Sequence, residues 1–429
     1  MLEQPLPGPT TGPAPAGRRP PPPLCRPETR LAAEERTTPH GSVWLAAAHY
    51  DHDYRHGRTS VGAARGWDAR GLALAAREAR AAALPAAAWA FVDLETTGLG
   101  AGPGIYAFLV GIGWLGEDGY RIEQFLLRDF GDEPALLQAV AERLAGFHGL
   151  VTFNGKTFDL PLLGARYALA RRSAPHAGLP HCDLLPAARR LWAHRTSDRR
   201  LVTLESQLLG HRRRHDISSA LIPDLYYEYL RSGRPEPLDA ILAHNRADLL
   251  SLLLLACEAS SFVARLVSGQ TRALGPERSA LRAEETQSHL EAEDRLRVAQ
   301  LLLPAGEPET ARALLAASLA GCPLPEVRLQ AARLLAAEHK RGGDFDAACA
   351  LWEEMLAIAP ELVEPYEELA KVEEHRHAVP ARALRWVEMR LTQAGLGCAQ
   401  QGALEHRRAR LRRKLEATPG RRIDTAPPA

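Results

Sequence analysis

The sequence predicts an α/β domain, a mixed sheet flanked by helices, followed by an all-α region of helical repeats. Three observations carry this reading. Apolar, β-leaning runs separated by glycine-containing turns fill residues 88–152, and helical text takes over after Phe158. Beyond residue 290 everything reads as helix, and a period of 34 residues recurs. At 429 residues the chain is long enough for two or three domains with cores of their own.

Residues 1–40, with "GRRPPPPLCRPETR", are rich in Pro, Gly and Arg and are expected to be disordered. Residues 41–87 read as an N-terminal extension ending in an alanine-rich helical stretch. The α/β domain is placed at 88–265: "WAFVDLE", "YAFLVGIGWLG" and "GYRIEQFLLRDF" are strands, "DEPALLQAVAERLAGF" a helix with acidic residues and proline in its first turn, and "GLVTFNG" a fourth strand before helical text. This order is not a run of simple βαβ units. Residues 266–290 lose periodicity and read as a linker, 291–418 as repeats, and 419–429 as a disordered tail. In the repeats, Ala313, Ala347 and Ala381 recur at 34 residues, as do Leu301, Leu335 and Leu369, Trp352 and Trp386, and Met355 and Met389. That period resembles tetratricopeptide repeats, of which three units are the minimum for a stable stack.

A net charge of +1 excludes a globally basic nucleic-acid binder, so any basic surface must be local. Six scattered cysteines without a CxxC pair point to a reducing, cytoplasmic setting. The first residues lack a basic and then apolar leader, and "LLSLLLLAC" is too short to span a bilayer, so no membrane is expected.

The chemistry starts at "FVDLETTGLG". Residues two apart on a strand share a face, so Asp93 and Glu95 stand side by side. Neighbouring carboxylates repel unless a cation lies between them, and a divalent metal ion is the simplest one. Further oxygen ligands are then required. "VTFNGKTFDLPLL" offers Asp159 at a helix start, and "AHNRADLLSLLLLAC" offers Asp248 on a helix, with His244 four residues earlier on the same face. A histidine there can orient or deprotonate a water.

Taken in order, "DLETTG", "NGKTFD" and "HNRAD" resemble the three motifs of the DEDD superfamily, DnaQ-like exonucleases with the ribonuclease H-like fold. With "FLVGIGWL" and "LVTFNGKTFDLPLLGARY", the wording is closest to the YprB-type ribonuclease H-like proteins, some of which carry tetratricopeptide repeats. The resemblance covers roughly residues 88–260. It implies two-metal hydrolysis of phosphodiester bonds from a 3′ end, with Mg²⁺ or Mn²⁺ stabilising the attacking and leaving oxygens. By motif, Asp93, Glu95 and Asp248 would be direct ligands, Asp159 would hold the second ion, and His244 would be the general base. One departure stands: the family places its histidine five residues before the last Asp or a tyrosine four before, whereas His244 takes the four-residue spacing. A base and a bystander role both remain open for it.

The candidate substrate contacts are Thr96, Thr97, Gly98, Asn154, Lys156 and Asn245, with Asp183 either supporting the metal site or capping a helix. Lys156 stands out because lysine occurs otherwise only at 340, 371 and 414. Arginines at 166, 171, 172, 189, 190, 195, 199, 200 and 212–214 read as a phosphate track or as solvated helix faces. Tyr226, Tyr227 and Tyr229 read as a stacking platform or as core tyrosines with wet hydroxyls. His49, His52 and His56 lack the closed ligand set of a zinc site. The leading expectation is a metal-dependent 3′–5′ exonuclease on single-stranded DNA or RNA, its repeats recruiting a protein partner or lengthening the substrate track. The alternatives are a silent binding module that keeps the fold, and a repeat domain with an accessory nuclease.

Overall fold

The computed structural model describes residues 33–98, 102, 104–214, 216–269 and 282–417. The expectations of disorder at 1–32 and 419–429, and of a linker across 270–281, lie outside these residues. Strands β1 (Ala33–Thr38), β2 (Gly41–Asp51), β5 (Trp89–Thr96), β6 (Ala107–Leu115), β7 (Gly119–Leu126), β8 (Gly149–Thr152) and β9 (His181–Asp183) form one sheet, ordered β1-β2-β7-β6-β5-β8-β9. The short pair β3 (Arg55–His56) and β4 (Thr59–Ser60) stands apart. β5, β8 and β9 are parallel; the other pairs are antiparallel. Around the sheet lie α1 (Ala69–Ala76), α2 (Glu133–Leu144), α3 (Asp159–Leu169), α4 (Leu184–Trp192), the single turn α5 (Leu201–Leu204), α6 (Ile222–Ser232) and the 32-residue α7 (Glu236–Val267).

Alternation along β5 divides the core. Ala90, Val92 and Leu94 face α2, α3 and α6, while Trp89 and Phe91 face α1, α4 and most of α7. Asp93 and Glu95 continue the Trp89–Phe91 row, as a period of two requires.

Two boundaries are corrected. The N-terminal extension is not separate, and residues 33–40 are not disordered: β2 pairs with β7 from Trp44↔Leu126 to Asp51↔Gly119, and β1 pairs with β2. β1, "AEERTT", carries no apolar alternation because it is the sheet's edge, where charge blunts unwanted pairing. Arg36 there reaches Glu142 on α2 at 2.9 Å.

The helical region is also not a detached module. It comprises α8 (Arg282–Leu302), α9 (Pro308–Gly321), α10 (Pro325–Gly342), α11 (Phe345–Ile358), α12 (Val363–His375), α13 (Pro380–Leu391) and α14 (Cys398–Glu416). The expected linker thus gives up its ends to α7 and α8. Ala292, Leu296, Val298, Leu302 and Leu315 join one hydrophobic core with Leu250–Cys257 and Phe262 of α7. Buried Asp294 accepts from Arg195 and from His194 Nε2 at 2.8 Å, and Arg70 pairs with Glu307 across the same junction. Among the described residues α7 alone is long and apolar enough, by length and composition, to cross a bilayer, yet its leucines are packed against these helices and the sheet. Each fully buried leucine contributes roughly 1.5–3 kcal/mol. Deleting 291–418 would therefore strip the core of the sheet domain rather than isolate it.

The helices stack as hairpins whose period is only partly 34 residues. Leu301, Leu335 and Leu369 are all buried in the first helices. In the second helices the buried triads are Ala311–Leu315–Ser318, Ala348–Trp352–Met355 and Ala383–Val387–Arg390, at offsets of 37 and 35 residues. Ala313 and Met389 are exposed, so the recurrences of Ala313 and Met355 read from the sequence are coincidence.

Candidate active site

Asp93 stands opposite Gly111 of β6, which stands opposite Gln124 of β7. A Cβ on Gly111 would lie 2.3 Å from Asn245 Oδ1 and 2.8 Å from Leu249 Cδ1, so the glycine is what lets α7 settle onto the sheet. Asn245 then bridges the row. It accepts from Gln124 Nε2 at 2.8 Å and donates to Asp93 Oδ2 at 2.7 Å, while Gln124 also donates to Leu242 O at 2.9 Å. Asn245 is fully buried and held on both sides, so it orients Asp93 and is not a substrate contact as expected.

On the other side, Asp183 caps α4 through Leu185 N at 3.1 Å and also accepts from Asn154 N at 2.7 Å and Lys156 N at 3.1 Å. The expected helix cap is present, and the same carboxylate staples the "NGKTF" loop. Asn154 takes a φ of +64° there, a region its short polar side chain tolerates. The loop delivers Asp159 as the first residue of α3, facing the β5 carboxylates. Lys156 and Phe158 are exposed beside it.

The third wall is α7. His244 is buried; its Nδ1 lies 2.7 Å from Asp216 Oδ1, and its Nε2 lies 3.4 Å from Asp248 Oδ2 and 3.3 Å from Ser219 Oγ. Glu95, His244 and Asp248 each present a ligand atom within 4.8 Å of the others. Arg213 closes this side. Its guanidinium donates to Asp248 Oδ1, to both oxygens of Glu205 and, at 3.1 Å, to Asp216 Oδ2. Glu205, in a π-helical turn (Glu205–Leu209), accepts from Ser251 Oγ at 2.5 Å, which accepts from His56 Nε2 at 2.7 Å. His56 stacks on His211 at 3.6 Å; burial lowers its pKa to about 3, which keeps it neutral.

The electrostatics follow from this crowding. Burial raises Asp93 well above the usual carboxyl range, and Asp248, Glu95 and Asp159 push it further, against the Asn245 hydrogen bond. Glu95 is raised by burial and then by Asp248 and Asp159, with Arg213 opposing. Asp159 rises to about 7, mainly by burial, with backbone hydrogen bonds holding it down and Asp183 and Asp248 adding to the rise. Burial also raises Asp248, although Arg213 and His244 oppose it. Four buried carboxylates that repel one another attract a cation. An oxygen-rich donor set with one imidazole fits Mg²⁺ or Mn²⁺.

Several other expectations are corrected. Thr97 is buried, its Oγ1 accepting from Tyr106 N at 3.0 Å, and Thr96 Oγ1 donates to Gly98 O at 2.8 Å. These hydroxyls are used in closing the turn after β5. Part of the arginine track is taken up inside the fold. Arg166 is buried on Glu133, Arg190 donates to Ala75 O and Arg195 pairs with Asp294. Arg171, Arg189, Arg200, Arg212 and Arg214 stay exposed. Tyr226 and Tyr229 are core residues, Tyr226 stacking on Phe108 at 3.8 Å, and only Tyr227 is exposed, so no stacking platform forms. Sequence reasoning missed Arg213, Asp216, Glu205 and Gln124 as neighbours of the site. One signal was legible: an acidic residue within the apolar run "LVTLESQLLG" needs a buried partner.

Residues 90–259 match a family model described as RNase_H superfamily. The chain is also 32% identical over 333 residues, 76% of its own length and 75% of the relative's, to YprB of Bacillus subtilis (strain 168), a protein described as uncharacterized. Together with a sheet that sets β5 beside parallel β8 and antiparallel β6, these matches show that the chain belongs to the RNase H superfamily, in the family of YprB.

Proposed function

We propose that this protein is a metal-dependent nuclease that removes nucleotides from the 3′ end of single-stranded DNA or RNA. The observation that carries the reading is the convergence of Asp93, Glu95, Asp159 and Asp248 beside His244, a concentration of negative charge that a soluble fold has no packing reason to build. Asp93, Glu95 and Asp248 are the residues that would hold one ion directly, and Asp159 a second. Bound divalent ions would supply Lewis-acid stabilisation of the attacking and leaving oxygens of the phosphodiester.

The side chains have their own parts. Asp216 accepts from His244 Nδ1, which leaves the Nε2 lone pair on the Asp248 side, free to take a proton from an attacking water. This geometry favours the base over the bystander reading of His244. Asn245 holds Asp93, and Asp183 holds the loop that carries Asp159. Exposed Lys156 stands at the mouth, where a phosphate would approach. The 3′ to 5′ direction and the two-ion stoichiometry rest on the likeness of the motif series. The helical hairpins would serve as a platform for a protein partner or for the strand leaving the site.

The test uses 5′-labelled single-stranded DNA and RNA with Mg²⁺, Mn²⁺ or EDTA. Wild type should give a metal-dependent ladder from the 3′ end. Asp93→Asn should slow it by about a thousandfold, roughly 4 kcal/mol of barrier, without lowering the thermal midpoint. Binding without cleavage under every condition would overturn the reading.

A further inference from the structure

The guanidinium of Arg213 belongs to the cage as much as the carboxylates do. Its side chain is only 7% exposed and lies in the loop between the Glu205–Leu209 turn and α6. Glu205, 1% exposed, grips it with both oxygens and is itself fixed by Ser251. That buried scaffold holds the guanidinium on Asp248 Oδ1, with Nη1 3.4 Å from His244 Nδ1. Its ion pairs are with Glu205, Asp216 and Asp248, so its charge is delivered to the α7 wall of the cage. Arginine cannot shed its proton, so it cannot become a neutral neighbour when another cation arrives.

We propose that Arg213 is a resident cation that competes with a divalent ion for Asp248, stabilising the cage without metal and weakening the ion held by Asp93, Glu95 and Asp248. This rests on the metal-dependent reading above. Metal loading then means an exchange of counter-ions at Asp248, and Glu205 is the residue that receives the arginine when it lets go. Of the acidic residues around the cage, Glu205 is the one built for the protein's own cation.

The test is a Mn²⁺ titration of the chelator-stripped full chain, read by electron paramagnetic resonance and calorimetry, with thermal midpoints in EDTA. The variants are Arg213→Gln, Arg213→Lys and the double Glu205→Gln/Arg213→Gln, which also removes the buried charge that losing Arg213 would strand at residue 205. The double variant should bind its weaker Mn²⁺ about tenfold more tightly than wild type, Arg213→Lys should resemble wild type, and Arg213→Gln should melt lower in EDTA and recover with Mn²⁺. A folded double variant with unchanged or weaker Mn²⁺ affinity overturns the proposal while leaving the nuclease reading intact. Loss of folding in both glutamine variants that Mn²⁺ does not restore also overturns it, since Arg213 would then be a residue of the fold. Mn²⁺ bound by the double variant but not by wild type upholds the competition and sinks the nuclease reading. Mn²⁺ bound by neither sinks both.

Discussion

Two of the buried clusters that pair arginine with acid differ in their balance. At the junction between the sheet domain and the helical hairpins, Asp294 meets Arg195 and His194. One carboxylate there faces two donors. At the cage, Arg213 and His244 face Asp93, Glu95, Asp159, Asp248, Glu205 and Asp216. Similar residue types build a lock in one place and an unmet demand for positive charge in the other. The difference singles out the second cluster as the candidate site without reference to motif.

The comparison can be broken most forcefully at the junction. Asp294→Ala leaves Arg195 buried without its carboxylate and should destabilise the protein by about 3–5 kcal/mol in denaturant unfolding. Cleavage per folded molecule should persist, because Asp294 touches no residue of the cage. If stability were unmoved, the junction would not be a lock.

A smaller effect sharpens the cage side. Gly111→Ala places a methyl against Asn245 Oδ1 and Leu249, neither of which has free space to yield. It should cost about 1–3 kcal/mol by overpacking and, by shifting Asn245 off Asp93, lower metal affinity as well as stability. Unchanged Mn²⁺ binding in the folded variant would show that the Gln124–Asn245 bridge does not orient Asp93.

The smallest effect is a slope. Asp159 is raised to about 7 from an ordinary value near 3.8, so between those pH values the folded chain binds a proton that the unfolded chain has released. Stability from this group is then fully present below the lower value and is lost as pH rises through the upper one. Thermal midpoints in EDTA should therefore fall across that window, and Asp159→Asn should flatten the fall. The Asp294 cluster should show no counterpart, and an unchanged slope in Asp159→Asn would remove Asp159 from the cage.

The four cage carboxylates were legible in the sequence because each sits at a place where local structure announces it: a strand end, a helix start, a helix face opposite leucines. Their supports were not. Arg213 lies among arginines at 212 and 214 that are exposed, and no periodicity separates a buried arginine from its solvated neighbours. Asn245 adjoins His244 and reads as a site residue, and only the absence of a side chain at Gly111 reveals that it points into the sheet. β1 escaped notice because an edge strand in charged residues has no apolar period to read. The helical region misled differently. The buried leucines of its first helices keep a spacing of 34 residues, while first helices that run on to different lengths past those leucines shift the second helices to offsets of 37 and 35, so identities at a constant offset mixed buried with exposed positions.

α7 carries His244 and Asp248 in its first half and the leucines that receive α8 in its second. At 1.5 Å per residue its 32 residues make a helix about 48 Å long that packs against both halves of the protein. A load applied to the hairpins is borne by the same helix that positions Asp248, so anything gripping the helical end would also bear on the cage.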